Sequence, residues 1–294
     1  MDLSADANTS MILEGDGFLL EVLPERGGGI GRLEWNGVPV LRGACGLSPL
    51  DLASFPLVPF SNRIAAGHFS FAGHEVSIAP NMSSVDAANP LHGFGWLSAW
   101  AAVPCADGQI AIEHVHRRGG WPWQYRARQT FAVSPAGLTM RLALLNADDT
   151  PMPAGLGFHP YFPREARTLY RGLHRTEWLV DASGLPTGRQ DQPTAQDWWH
   201  GQPIASRVVD TVYEGREGDL EIVQPEHGIR ITMRPSANLG CTVVYTPADA
   251  DFFCVEPVSH STDPLNCPAA QHAMHILQPD EEMVAEVLFS VSAL

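Results

Sequence analysis

At 294 residues and 45% hydrophobic content the chain can fill one large domain or two ordinary ones with a sizeable core, which excludes a disordered chain. Its 33 acidic against 18 basic residues leave a formal charge of −15, which argues against nucleic acid or an anionic membrane surface as partner, since both need clustered Lys and Arg. Cys45, Cys105, Cys241, Cys254 and Cys267 are odd in number, scattered and without a CxxC pair, so neither a disulfide framework nor a structural zinc is expected, and a reducing cytoplasm fits.

The opening MDLSADANTS is polar and acidic, which reads as a loose tail over residues 1–10 and not as a signal peptide. No apolar run approaches the ~20 residues that span a bilayer. Residues 11–294 show no composition break, linker, charge block or internal repeat and are read as one domain. In RLEWNGVPVL, Asn36-Gly37 between two apolar segments marks a hairpin. FSFAGHEVSI turns near Ala72-Gly73, and FAVSPAGLTM near Pro135 to Gly137. LTMRLALLN then places Leu138, Met140, Leu142 and Leu144 on one side. The segment from Thr194 to Trp199 predicts one short helix, and no long amphipathic helix is found. GIRITMRP alternates, with Ile229, Ile231 and Met233 facing one way and Arg230, Thr232 and Arg234 the other, the mark of a half-buried strand. With 27 Gly and 24 Pro interrupting nearly every candidate helix, the predicted class is all-β: a large antiparallel sandwich or barrel with few short helices.

Four polar clusters interrupt this apolar background. PFSNRIAAG holds Asn62 and Arg63 between apolar segments. An arginine there either presents its planar fork to ligand oxygens or ends a strand at the surface. NPLHGFGWLSAW places His92 before Gly93 and Gly95, which permit a close backbone approach; a hydrogen-bonded structural histidine would use the same loop. LGFHPYFP puts His159 before Pro160, and FFCVEPVSH puts Glu256 before Pro257, where the following ring holds each residue extended. Alone, each fits a structural role: a satisfied core histidine, a salt-bridged carboxylate. Together they make a pattern. Two titratable groups in apolar surroundings on proline-fixed backbone are what an acid and a base need to be rigid and tuned toward neutral pH, burial raising the carboxylate's pKa. Trp96, Phe158, Tyr161 and Phe60 lie beside these clusters and offer faces for sugar C–H groups, although most sandwich aromatics are simply core. GGWPWQYR and DWWH read as packing or rim loops.

The order PFSNRI, NPLHGFGW, GFHPYF, VEPVSH resembles the aldose 1-epimerase (mutarotase) family. Outside the clusters, EVLPERGGGIGRLEWNGVPVLRG is similar to the family's opening hairpin region and LNADDTPMPAGLGFHPYF to its approach to the second histidine. HILQPDEEMVAEVLFSV is similar to its closing strands, with Asp280 where the family more often has Gly. The resemblance runs from about Gly17 to Val291. It implies a galactose-mutarotase-like β-supersandwich and a cofactor-free, metal-free reaction at the anomeric carbon of a small-molecule sugar. Position by position, Glu256 matches the general base and His159 the general acid, while His92 and Arg63, beside Asn62, match residues that bind sugar oxygens. The family's sugar-binding Asp is matched more loosely by Asp210 in RVVDTVYEG, where a plain loop aspartate is the other reading.

Other readings stay open at this point. A hexose-6-phosphate 1-epimerase needs several basic groups at the pocket, and beyond Arg63 only loop arginines such as Arg164 or Arg167 offer themselves. A sugar-binding module without turnover would not need both acid and base. A metal-dependent β-barrel enzyme would use His92, His159, His260 and Glu256, residue types that suit zinc or iron, but no HxH or HxxxH spacing supports it.

Overall fold

A computed structural model of the chain describes residues 10–191, 198–267 and 274–294. Among these residues the structure is all-β, with four single 3-10 turns and no α-helix; none is long and apolar enough to cross a membrane. The short helix expected at 194–199 falls, up to residue 197, outside the described residues, as do residues 1–9 of the expected tail; Trp198 and Trp199 lie in a turn. The predicted hairpins form. Asn36-Gly37 joins Gly29–Trp35 to Val38–Pro39, and Ala72-Gly73 joins His68–Phe71 to His74–Ser77. Both turn residues of each pair are left-handed (φ 50° and 76°, 51° and 79°), the geometry that matches strand twist. Pro135-Ala136 links Tyr125–Ser134 to Gly137–Asn146.

Two large antiparallel sheets carry the molecule. One has nine strands and centres on Glu282–Ala293, between Ile229–Pro235 and Gly137–Asn146. The other has eight, including Asp210–Glu214, Cys241–Tyr245 and Phe252–Val258 in that spatial order. The core lies between them. Ile229, Ile231 and Met233 turn inward as their alternation requires, and they share one buried cluster with Phe253, Val255 and Val244 of the opposite sheet. Each fully buried aliphatic or aromatic side chain contributes about 1.5–3 kcal/mol, so truncating Ile231 to Ala would cost about 2–5 kcal/mol.

What positions the site is the other face of the eight-stranded sheet. Side chains alternate along a strand, so if Phe253 and Val255 face the core, Phe252, Cys254 and Glu256 face away from it. The register continues this face across the neighbours: Val243 pairs with Glu256, Tyr245 with Cys254, and Asp210 with Tyr245. Phe55, Leu91 and Trp96, part of a second apolar cluster that includes side chains of the sheet, cover this face and bury it. The candidate site is sunk between the sheet and that cover.

Candidate functional site

Glu256 and His159 are brought together by strand register. Phe252–Val258 pairs with Tyr161–Pro163 (Tyr161 opposite Cys254) and with Gly157–Phe158 (Gly157 opposite Val258). Counting between these two points places His159 opposite Glu256. The ladder is broken there, because Pro160 and Pro257 have no N–H to give it. His159 therefore sits in a gap between two short strands, not within one strand as its sequence pattern suggests, and its N–H is donated to Phe55 O at 3.1 Å. Directly opposed residues hold their Cβ atoms about 4.5–5.5 Å apart, which leaves the two side chains in contact. His159 Nε2 lies 3.4 Å from Glu256 Oε1.

Arg63, His92 and Asn62 come from two facing loops. Asn62 and His92 both adopt left-handed backbone (φ 57° and 58°). The loops are joined by His92 N–H donating to Asn62 O (2.9 Å) and Asn62 N–H donating to His92 Nδ1 (3.2 Å). An accepting Nδ1 makes the ring neutral with its proton on Nε2. Gly93 (φ 72°) lets the loop pass Val58, whose carbonyl oxygen would stand 2.1 Å from a Cβ at that position. The Trp96 indole N–H then holds the loop by donating to Leu91 O and Gly93 O, each at 3.1 Å. The Asn62 Oδ1 accepts from Arg63 N–H (2.9 Å) and from Arg63 Nη1 (3.1 Å), and Arg63 Nε donates to Asp86 Oδ2 at 3.0 Å. Asn62 thus fixes the guanidinium as well as facing the cavity.

All six expected residues, Asn62, Arg63, His92, His159, Asp210 and Glu256, line one cavity of about 340 Å³. Glu256 and His159 are buried (2% and 5% exposed), while the Asp210 side chain keeps 41% of its surface and stands 3.9 Å from Arg63 Nη1. His159 stacks on Tyr161 (4.7 Å) and packs against a tilted Phe55 (4.5 Å), with His92 meeting it edge-on at 5.1 Å. Burial, helped by the Asp210 charge and opposed by Arg63, pushes the Glu256 carboxyl well above the usual carboxylate range. Burial pulls His159 down to about 3, its own backbone opposing and Arg42 adding to the fall. Burial also lowers His92, with His159 and Arg63 adding, and raises Asp210 against the pull of Arg63. In the resting cavity burial thus favours a neutral imidazole beside a protonated carboxyl, one proton between the two groups. Glu256 Oε2 and His159 Nδ1 are buried without a hydrogen-bond partner, and a ligand's hydroxyls would satisfy such atoms.

Residues 12–290 match the family model described as aldose 1-epimerase. The chain belongs to the aldose 1-epimerase family. YphB of Escherichia coli K12, an uncharacterized protein, is 31% identical over 252 residues, covering 83% of this chain and 85% of that one. The crystal structure of a candidate aldose 1-epimerase from the same strain is 30% identical and superposes with a TM-score of 0.89 over 97% of this chain and 99% of its own. A galactose mutarotase-like protein of Clostridium acetobutylicum, at 18% identity, shares the fold with a TM-score of 0.86 over 98% of this chain and 96% of its own. For a member of the aldose 1-epimerase family, sequence reasoning missed Arg42, which lines the cavity with its guanidinium over Tyr161 (4.2 Å) and Phe252 (4.5 Å). Its Nη2 donates to Leu50 O (2.8 Å) and Leu52 O (3.0 Å). Of the four aromatics offered for a sugar face, only Tyr161 lines the cavity; Phe60 and Phe158 face the inter-sheet core and Trp96 lies behind His92. Arg164 and Arg167 are absent from the cavity wall, the first bound to Pro247 O and the second to Glu226. His260 does not join the metal set suggested by residue type: its Nε2 accepts from Ser61 N–H (3.1 Å) and its Nδ1 donates to Ser261 O (2.7 Å). The trio that does converge is His159, Cys254 and Glu256.

Proposed function

We propose that the protein interconverts the α and β anomers of a free aldose, Glu256 acting as general base and His159 as general acid. The 3.4 Å contact between His159 Nε2 and Glu256 Oε1, buried at a cavity of about 340 Å³, carries this reading. That volume is at the small end of small-molecule sites, roughly 300–1,000 Å³.

In ring opening, Glu256 takes the C1 hydroxyl proton while His159 gives one to the ring oxygen. The C1–O5 bond breaks and the aldehyde forms. The pair is left as protonated Glu256 and neutral His159, the state that burial favours. Rotation about C1–C2 offers the other carbonyl face. Protonated Glu256 then donates to the carbonyl oxygen as O5 attacks and His159 removes the O5 proton. One proton stays with the pair throughout, so turnover needs no exchange with solvent. The 3.4 Å contact lets the proton shift between the partners when substrate arrives. A positioned proton donor or acceptor contributes ~10²–10⁴-fold, which suffices for a reaction that already proceeds slowly in water. Arg63, His92 and Asp210 hold the sugar hydroxyls, His92 through Nε2–H.

The wall favours a neutral sugar over its 6-phosphate. Its two arginines are engaged, Arg63 by Asp86 and Asn62 and Arg42 by two carbonyls and two rings, while Asp51, Asp210 and Glu256 face the same space. A phosphate dianion there would meet carboxylates, with Arg42 Nε the unpartnered cationic N–H on that wall to set against them. Exchange NMR on a panel of aldoses and their 6-phosphates tests the proposal: accelerated anomer exchange of at least one free aldose supports it, and acceleration of none, or of phosphorylated sugars alone, overturns it.

A further inference from the structure

We infer that His159, Cys254 and Glu256 form an inhibitory binding site for zinc, so that the ion closes the candidate site by taking the proton-carrying pair as ligands. Cys254 and Glu256 lie two residues apart on the same face of Phe252–Val258, and register places His159 opposite Glu256. The ligand atoms of the three lie within 4.8 Å of one another, the one such group among the described residues. Two ligand atoms bound tetrahedrally at about 2.0–2.3 Å stand about 3.3–3.8 Å apart. The His159 Nε2 to Glu256 Oε1 separation of 3.4 Å already has that bite. Only the thiol has to close in, by rotation about its Cα–Cβ bond. Glu256 Oε2 and His159 Nδ1 are buried and unpartnered, so the contact the ion displaces on these two residues is the one between His159 Nε2 and Glu256 Oε1 themselves. Imidazole, thiolate and carboxylate together suit zinc and cobalt and disfavour magnesium and calcium, which need an all-oxygen shell. The fourth position faces the cavity and is left to water.

The site is distinct in sense from a catalytic metal. A zinc ion here removes the proton that ring opening and closing require, so the metal silences the pair. This consequence rests on the proposed anomer exchange; the binding itself does not. The experiment separates the two. Purified full-length protein, treated with EDTA and kept reduced, is titrated with cobalt(II) and followed by absorption, then challenged with zinc. We expect one cobalt per chain, a thiolate-to-cobalt charge-transfer band, and loss of that band on zinc addition. Cys254→Ser and Cys254→Ala should each abolish the band, and each should weaken zinc binding about tenfold or more by removing one of three protein ligands. Glu256→Gln should weaken it comparably. Absence of binding, or a band that survives both Cys254 substitutions and so arises from another cysteine, would overturn the site. In the anomer assay, zinc should inhibit competitively with sugar and EDTA should reverse it. Binding by the spectroscopic criterion without inhibition would refute the silencing role, and an enzyme without anomer activity would still bind cobalt if the site is right.

Discussion

The surroundings of His260 and of His159 are alike in burial and opposite in what they ask of the ring. His260 is 1% exposed and lowered to about 4 by burial; His159 is 5% exposed and lowered to about 3 by the same cause. Yet His260 spends both nitrogens on backbone, accepting from Ser61 N–H and donating to Ser261 O. His159 has an unpartnered Nδ1 and turns Nε2 toward a carboxyl whose other oxygen is also unpartnered. A buried polar group that is satisfied holds a fold together, whereas one left unsatisfied costs stability and so points to a ligand that completes it. The difference teaches that burial and a displaced pKa do not by themselves mark a functional histidine, and neither does an unused nitrogen, since His174 is buried with two of them away from the cavity; what sets His159 apart is that its Nε2 meets the Glu256 carboxyl at the cavity wall.

The sharpest way to break this contrast is to remove proton transfer without removing shape. Glu256→Gln should lower kcat by at least ~10²-fold with the fold intact, since an amide cannot accept the proton; steady-state anomer exchange beside circular dichroism checks it. His159→Asn should do the same, ~10²-fold or more in kcat with KM changed far less. A folded His159→Asn variant with normal kcat would make the two histidines equivalent and end the distinction. His260→Asn is the opposite case. Breaking two buried hydrogen bonds should cost about 1–3 kcal/mol in urea denaturation while kcat of the folded fraction stays near wild type.

Stability against pH reads the protonation states directly. A histidine kept neutral by burial contributes stability that is present above its unfolded value, near 6.5, and lost as pH falls through its folded value, about 4 for His260 and about 3 for His159. Glu256 is shifted up, so it has the reverse sign: its contribution is present below about 4.5 and lost as pH rises through the folded value. Between about pH 4.5 and 6.5, wherever folded Glu256 keeps its proton, the His159–Glu256 pair therefore holds one proton whether folded or unfolded and adds no slope. Glu256→Gln should expose the His159 term and steepen acid destabilisation by about 1.4 kcal/mol per pH unit, while His159→Asn and His260→Asn should each flatten it by a similar amount. An unchanged slope in Glu256→Gln would mean that folded His159 keeps its proton even without the carboxylate, and would contradict its being held neutral by burial.

Much of this was legible in the chain. Alternation in GIRITMRP and the turn pair Asn36-Gly37 follow from strand pleat and twist, which are local, and the structure has both. Asp280, where the resemblance leads one to expect Gly, adopts φ 62°, a left-handed position that Gly fills most easily and Asp tolerates. The two X-Pro steps were visible too, but not that register would set His159 against Glu256, because residues far apart in sequence pair by long-range contacts. Arg42 carries no local signal: VPVLRG reads as a strand end, and its role depends on Tyr161 and Phe252 arriving from elsewhere. Phe158 turns to the core because a one-residue offset from His159 on an extended chain reverses the face; Phe60 lies in the core as well, two residues before Asn62, whose left-handed backbone breaks the alternation.

Kinetics of the double variant Glu256→Gln/His159→Asn, set against both single variants, test the central claim that the two residues act as one unit around a shared proton. If they do, the double variant should exchange anomers about as slowly as the worse single variant, because either loss already breaks the relay. Losses that multiply, each residue contributing its own independent factor, would contradict the account.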